Sequence, residues 1–322
     1  MDRKVFCFRI NDYDDLVFCP LFFLKDHYFF RGQGDAMWGL QTSLERKYSA
    51  YCQENLDSGA QEHNISADKK KFFTNAFSRA LEYKEEYAAI QTFSRLTSLP
   101  RGLTNIEVLA RMQHYGAATR LLDVTTSFLI ALFFAFEEYG EQDRAVWVFH
   151  RNYFYEHSGI ADKYAHFDQK DEKKELLAKL LSDQEKLYKA SKDKANRQIG
   201  NPPVEKSNKL SIIPLSIIGN NPRLIAQNGA FLFPSNIKKS FEKNLSSALD
   251  MTEDDFSNLC KDCLPQGIKN FDKLDLMNAA VIKLIIPARI RHFAERLFDS
   301  ANISYQSIYP DEIGIAKSIK YW

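Results

Sequence analysis

Nine residues, Phe128-Leu-Ile-Ala-Leu-Phe-Phe-Ala-Phe136, constrain this chain more than any others. They follow Thr125-Thr126-Ser127, whose hydroxyls suit a helix start, and precede Glu137-Glu138, so the run reads as a helix that is apolar nearly all round. A surface helix keeps a polar face, and this one has none. The fold must therefore enclose it.

Segments able to do the enclosing lie on both sides. Asp26-His-Tyr-Phe-Phe-Arg-Gly32 and Ala145-Val-Trp-Val-Phe-His150 read as strands, as do residues 212–218, 230–233 and 282–286. Residues 119–123 form a shorter strand-like stretch. Apolar positions recur at helical spacing between 70 and 96, where Pro100-Arg101-Gly102 stops them, and again from 106 to 115, where Gly116 suits the end cap. A helical, acidic stretch is expected over 238–264, a helix over 288–300, and a tail through Tyr309-Pro310-Asp311. Strands mixed with helices predict an α+β (mixed α/β) architecture. From 152 to 210 the chain turns to Lys, Asp and Glu with leucines at helical spacing, the pattern of an inserted helical region with a solvated face. The expected organisation is a single domain in two parts, 1–151 and 211–322, around that insert.

The remaining composition excludes function classes. Lys and Arg number 43 against 42 Asp and Glu, a net charge of +1, so any nucleic-acid contact must come from a local patch. Five scattered cysteines do not make a disulfide framework, and Cys260-Lys-Asp-Cys263 lacks the second pair that a zinc site needs. No metal is expected. No apolar run approaches the roughly 20 residues of a membrane span, and the first residues run into acid, so the expectation is a cytoplasmic protein without membrane contact. A nucleophile elbow, a phosphate-cradling glycine loop and a metal-binding His-Glu pair are all missing from the sequence.

Polar groups gather where strands end. Arg31 and Gln33 flank Gly32; Gln113, His114 and Tyr115 close one helix; Arg120, Asp123, Thr125 and Ser127 lead into the next; Arg223, Gln227 and Asn228 precede a late strand. An arginine at a strand end offers a planar fork for phosphate or carboxylate, and a following glycine lets a ligand approach the backbone. The same arginine is equally compatible with a structural pairing to Asp123, Glu82, Glu85 or Glu86. Asp123, Thr125 and Ser127 share one face of an extended segment and suit a ribose, or serve as caps for the apolar helix. His114 suits proton transfer or a structural hydrogen bond.

Taken in chain order, Phe30-Arg31-Gly32-Gln33, Gln113-His114-Tyr115-Gly116, Thr119-Arg120-Leu121-Leu122-Asp123-Val124-Thr125, the Ala131–Ala135 stretch, Gln227-Asn228-Gly229-Ala230-Phe231, Ile286-Pro287 and Tyr309-Pro310-Asp311 resemble the FRG family. The resemblance suggests a bacterial toxin or antiviral role. A second resemblance, to ADP-ribosyltransferases of the arginine-serine-glutamate type, implies a split sheet and NAD as substrate. It casts Arg31, Gly32, Gln33, Tyr115, Arg120, Thr125 and Ser127 as NAD-binding and Asp123, Gln227 and His114 as catalytic. RNA, DNA or a protein would be the acceptor, with an antitoxin or chaperone as a further partner. The late glutamate of that type is absent, since Gln227 stands there, and Asp123, Glu107 and Glu312 are the substitutes. The rival expectation is a non-catalytic module that recognises a nucleotide, a nucleic acid or a phage protein through the same cluster.

Overall fold

The structure, a computed structural model, describes residues 4–23, 27–49, 83–100, 103, 105–157, 210–216, 221–237, 239–264, 267–268 and 273–319. Its centre is a seven-stranded sheet in the order β1-β7-β4-β2-β3-β6-β5. The strands are β1 (Val5–Arg9), β2 (Tyr28–Gln33), β3 (Leu122–Thr125), β4 (Arg144–His150), β5 (Ile212–Leu215), β6 (Gly229–Pro234) and β7 (Val281–Ile286). Only β1 and β7 run parallel; every other pairing is antiparallel. Around the sheet lie α1 (Tyr13–Val17), α2 (Tyr83–Leu96), α3 (Asn105–His114), α4 (Phe128–Phe136), α5 (Arg151–His157), α6 (Pro222–Ala226), α7 (Phe241–Ala248), α8 (Glu253–Leu259), α9 (Lys273–Asn278), α10 (Arg291–Ser300), α11 (Tyr305–Ile308) and α12 (Glu312–Ser318). The α+β expectation holds.

The alternation of each strand sorts its side chains between two layers. Tyr28 and Phe30 of β2, with Val146 and Val148 of β4, pack on the face that carries α4, while Phe29, Trp147 and Phe149 pack on the opposite face against Phe241 and Leu245 of α7 and Phe256 of α8. A third cluster joins α2 and α3 to β5 and β6 through Ile90, Leu109, Ile213 and Phe231. Enclosure of α4 is nearly complete: seven of its nine residues are buried. Phe133 meets Phe298 of α10 and the Tyr305 ring of α11 at 5.5 and 5.2 Å. With about 1.5–3 kcal/mol for each large apolar side chain removed from water, this helix is a major source of cohesion.

The approach of α4 to β2 explains Gly32. A Cβ at that position would lie 1.9 Å from the Ala131 carbonyl oxygen and 2.6 Å from the Ala135 nitrogen, so the glycine is required by helix packing. Gly32 also lines the cavity described below, so helix packing is a second demand on this residue beside the expected approach of a ligand to its backbone.

Several element expectations shift. The helical stretch of 238–264 is two helices, because Asp250 turns the chain with φ 58° and Thr252 caps α8 through a hydrogen bond from the Asp255 nitrogen. The short strand begins at Leu122 rather than Thr119. β1 was not expected, and the tail holds α11 and α12. Gly116, at φ 84°, ends the turn after α3 as expected. Of the insert expected over 152–210, α5 and residue 210 are described; the remainder, like the start of the 70–96 helix, lies outside the described residues.

The sheet parts in the middle. β2 and β3 pair at one position, Phe30 with Thr125. β2 pairs with β4 along its whole length, over six positions, and β3 with β6 over four. A gap therefore opens between Arg31–Gln33 and Leu122–Val124.

Gly32→Ala is expected to lower stability by about 1–3 kcal/mol or more, because the obstacle is helix backbone and cannot rotate away. Urea unfolding of the variant against the parent chain measures it; an unchanged midpoint would contradict the close packing.

Candidate functional site

The gap between β2 and β3 is the floor of a cavity of about 870 Å³. That volume falls in the range of roughly 300–1,000 Å³ usual for small-molecule sites. Its walls come from the loop after β2 with Met37 and Trp38, from Arg46, from Glu107, Arg111 and His114 of α3, from Phe134 and Glu137 at the end of α4, and from Arg223 and Gln227 ahead of β6.

Arg31 spans the gap. Its Nη1 donates to the Asp123 carbonyl at 2.8 Å, taking the place of a ladder hydrogen bond that the parted strands cannot make. Its Nε is sealed off and has no hydrogen-bond partner, and it forms no ion pair with a described residue. Burial lowers its pKa to about 10, with Asp123 opposing and Arg46 reinforcing the shift. The group is still a cation at neutral pH, held in a partly desolvated place without an ion pair to a described residue. The arrangement is chemically suited to an anion.

Asp123 faces the same space. Its Oδ1 accepts from Gln113 Nε2 at 2.6 Å, and the Gln113 carbonyl in turn accepts from the Thr119 hydroxyl. Thr119 is anchored by Ser43, whose Oγ accepts from the Thr119 nitrogen at 3.0 Å. This chain of bonds fixes the carboxylate relative to both walls. His114 lines α3's side, where burial, with Arg223 and Arg111 adding to it and Asp311 opposing, lowers its pKa. It is accordingly a neutral imidazole at pH 7, able to donate or accept one hydrogen bond.

Other expected site residues have structural duties. Gln33 is buried, donating to the Gly39 carbonyl at 3.0 Å and accepting from Trp147 Nε1 at 2.6 Å, so it holds the loop that presents Trp38. Two further bonds pin that loop: Lys283 Nζ to the Ala36 carbonyl at 2.8 Å, and the Leu40 nitrogen to Glu242 Oε1 at 2.8 Å. Thr125 is buried and donates to the Gln227 carbonyl at 2.8 Å while accepting from the Ser127 nitrogen at 3.0 Å. It lines the cavity but orders the strand end. Gln227 lines it too, with Nε2 donating to the Ile308 carbonyl at 3.3 Å.

Three expectations fail on position. Arg120 is 2% exposed, pairs with Glu86 Oε2 at 2.6 Å and stacks over Phe233 at 4.1 Å, so it is a core ion pair tying β3's approach to α2. Ser127 caps α4, accepting from the Ile130 nitrogen at 3.3 Å, and lies outside the lining. Tyr115 also lies outside it, 72% exposed beyond the end of α3. The substitute acids divide: Glu107 lines the cavity and Glu312, in the first turn of α12, does not. Trp38 and Arg46 follow the Phe30–Gln33 block of the family resemblance without having been assigned to the site, and Arg111 is the lining arginine that sequence reasoning missed. Arg111 carried a signal, since it lies one turn before His114 on the same helix.

The FRG domain family model matches residues 26–144, which span β2, α3, β3 and α4. No curated protein and no solved structure matches the chain.

Arg120 and Arg31 should respond oppositely to removal of charge. Arg120→Met leaves Glu86 buried without its cation and is expected to cost about 3–5 kcal/mol. Arg31→Met removes an uncompensated cation and is expected to change stability by no more than about 1 kcal/mol. Equal losses in denaturant unfolding would show that Arg31 is structural as well.

Proposed function

Since the chain carries an FRG domain over residues 26–144, we propose that it binds NAD in the parted sheet and transfers ADP-ribose to a macromolecule. The observation that carries this reading is Arg31, a half-buried cation with an unpartnered Nε and no ion pair with a described residue, at the floor of a dinucleotide-sized cavity. Its guanidinium suits a pyrophosphate, which offers paired oxygens to a planar fork.

In this reading the bond between nicotinamide and ribose C1′ breaks, and nicotinamide leaves with the electron pair. The acceptor's nucleophile forms the new bond to C1′ and gives its proton to a cavity carboxylate. Asp123, held by Gln113, supplies negative charge beside the cationic ribose of the transition state. Gln227 hydrogen-bonds a ribose hydroxyl, and neutral His114 orients the carboxamide. Thr125 keeps Gln227 and the start of α4 in register. The acceptor belongs to the toxin or antiviral setting that the family resemblance suggests.

One observation favours a second reading, a nucleotide-recognition module without turnover. The late position that carries a glutamate in the arginine-serine-glutamate type is Gln227, which brings no charge.

Calorimetry with NAD, together with nicotinamide release in the presence of cell lysate, separates the two. Arg31→Ala is expected to weaken NAD binding at least tenfold, and Asp123→Asn to slow nicotinamide release about 10²–10³-fold with little effect on affinity. Binding without release assigns the recognition module; neither binding nor release overturns the proposal.

A further inference from the structure

Four arginines converge on the cavity. Arg31, Arg46, Arg111 and Arg223 all line it, and none of the four forms an ion pair with a described residue. Two of the cavity's acids have other partners. Glu137 is engaged by Lys317 and by the Tyr309 hydroxyl, and Asp123 Oδ1 by Gln113.

The four fall on two walls. Arg31 is on β2 and Arg46 on the helical stretch at 43–49 that follows β2. Arg111 is in the last turn of α3 and Arg223 on α6, across the cavity. The same division appears in their electrostatics: Arg46 acts on Arg31, and Arg223 and Arg111 act on His114. A pyrophosphate held at Arg31 satisfies one wall and leaves the other with two guanidinium groups.

Rings lie beside the second wall, outside the lining itself. Arg223 lies 4.5 Å from the Tyr309 ring centre, which holds its guanidinium in place. Tyr115, 72% exposed, stands edge-on to His114 at 5.0 Å, at the end of the helix that carries Arg111. Guanidinium groups for phosphate beside an open aromatic face for a base are the elements of single-stranded nucleic-acid recognition. The near-zero net charge of the chain suits a contact limited to a nucleotide or two.

We infer that Arg111, Arg223 and Tyr115 form a second phosphate subsite, which receives a terminal nucleotide of single-stranded nucleic acid as the acceptor. Arg111 and Arg223 take the phosphate and Tyr115 stacks on the base. The acceptor's nucleophile is thereby brought to the α3 side of the ribose carbon. This inference rests on the NAD-transfer reading for the word acceptor, while the subsite itself is testable without it.

The experiment measures binding of NAD, NADP and a short 5′-phosphorylated oligonucleotide, as single-stranded RNA and as single-stranded DNA. Each is titrated against the full chain, Arg31→Ala, the double variant R111A/R223A and Tyr115→Ala, with melting curves to confirm that each variant is folded. The expected result is at least a tenfold loss of oligonucleotide binding in the double variant. Its salt slope should fall by roughly 0.7 for each phosphate contact removed. Tyr115→Ala should also weaken the oligonucleotide, and NAD affinity in both should stay within about twofold. Arg31→Ala should show the reverse pattern. Absence of oligonucleotide binding, or binding indifferent to the double variant, overturns the subsite. A preference for NADP over NAD that vanishes in the double variant also overturns it, by assigning these arginines to the dinucleotide's own extra phosphate. Loss of NAD binding alone would overturn only the earlier proposal.

Discussion

The contact between α4 and β2 at Gly32 sets the arrangement of everything around it. A helix without a polar face has to be covered on all sides, and here the sheet covers one side while α10 and α11 cover another. Backbone-to-backbone approach is possible only where one partner lacks a Cβ, and Gly32 provides that point directly after the arginine of the site. The residue most easily read as a ligand's doorway is thus a packing residue as well. Its packing acts on the site indirectly: β2, held against α4 and β4, cannot follow β3 beyond Phe30, and the sheet opens.

The half-buried Arg31 and the buried Arg120 show why residue type alone does not define a role. Both stand near strand ends and both were candidates for the same ligand. Arg120 has Glu86 at 2.6 Å and a phenylalanine ring beneath it, so its charge is settled within the protein. Arg31 has a backbone carbonyl and an unpartnered Nε, so its charge is left to the cavity. The desolvation of a cation is costly in either place, and only the second leaves a ligand something to compensate.

Polar residues around the cavity form a graded series. Gln33, Thr125 and Ser127 spend their hydrogen bonds on the loop, the strand end and the helix start. The side chains of Asp123 and Gln227 each make one hydrogen bond to a described residue, and both residues line the cavity. Arg111 and Arg223 face it without an ion pair. The less a group is used by the fold, the more of its interaction energy is available for binding.

Much of this protein was legible in its sequence. The apolar run at 128–136 demanded an enclosed helix, the aromatic and β-branched runs around Phe29 and Trp147 marked strands, and the ordered blocks around Arg31 and Asp123 carried the resemblance to the FRG family. These follow from periodicity and local chemistry, which act over a few residues. The break of the 238–264 helix at Asp250 was hidden because a positive φ at a non-glycine residue leaves no mark in composition. β1 was overlooked as a strand because its partner, β7, lies more than 270 residues later in the chain. Which arginine keeps its carboxylate, which hydroxyl caps and which glycine packs were decided by tertiary structure alone. Each depends on whether a counter-charge, a donor or a helix backbone arrives from a distant segment, and spacing along the chain does not encode that distance in space.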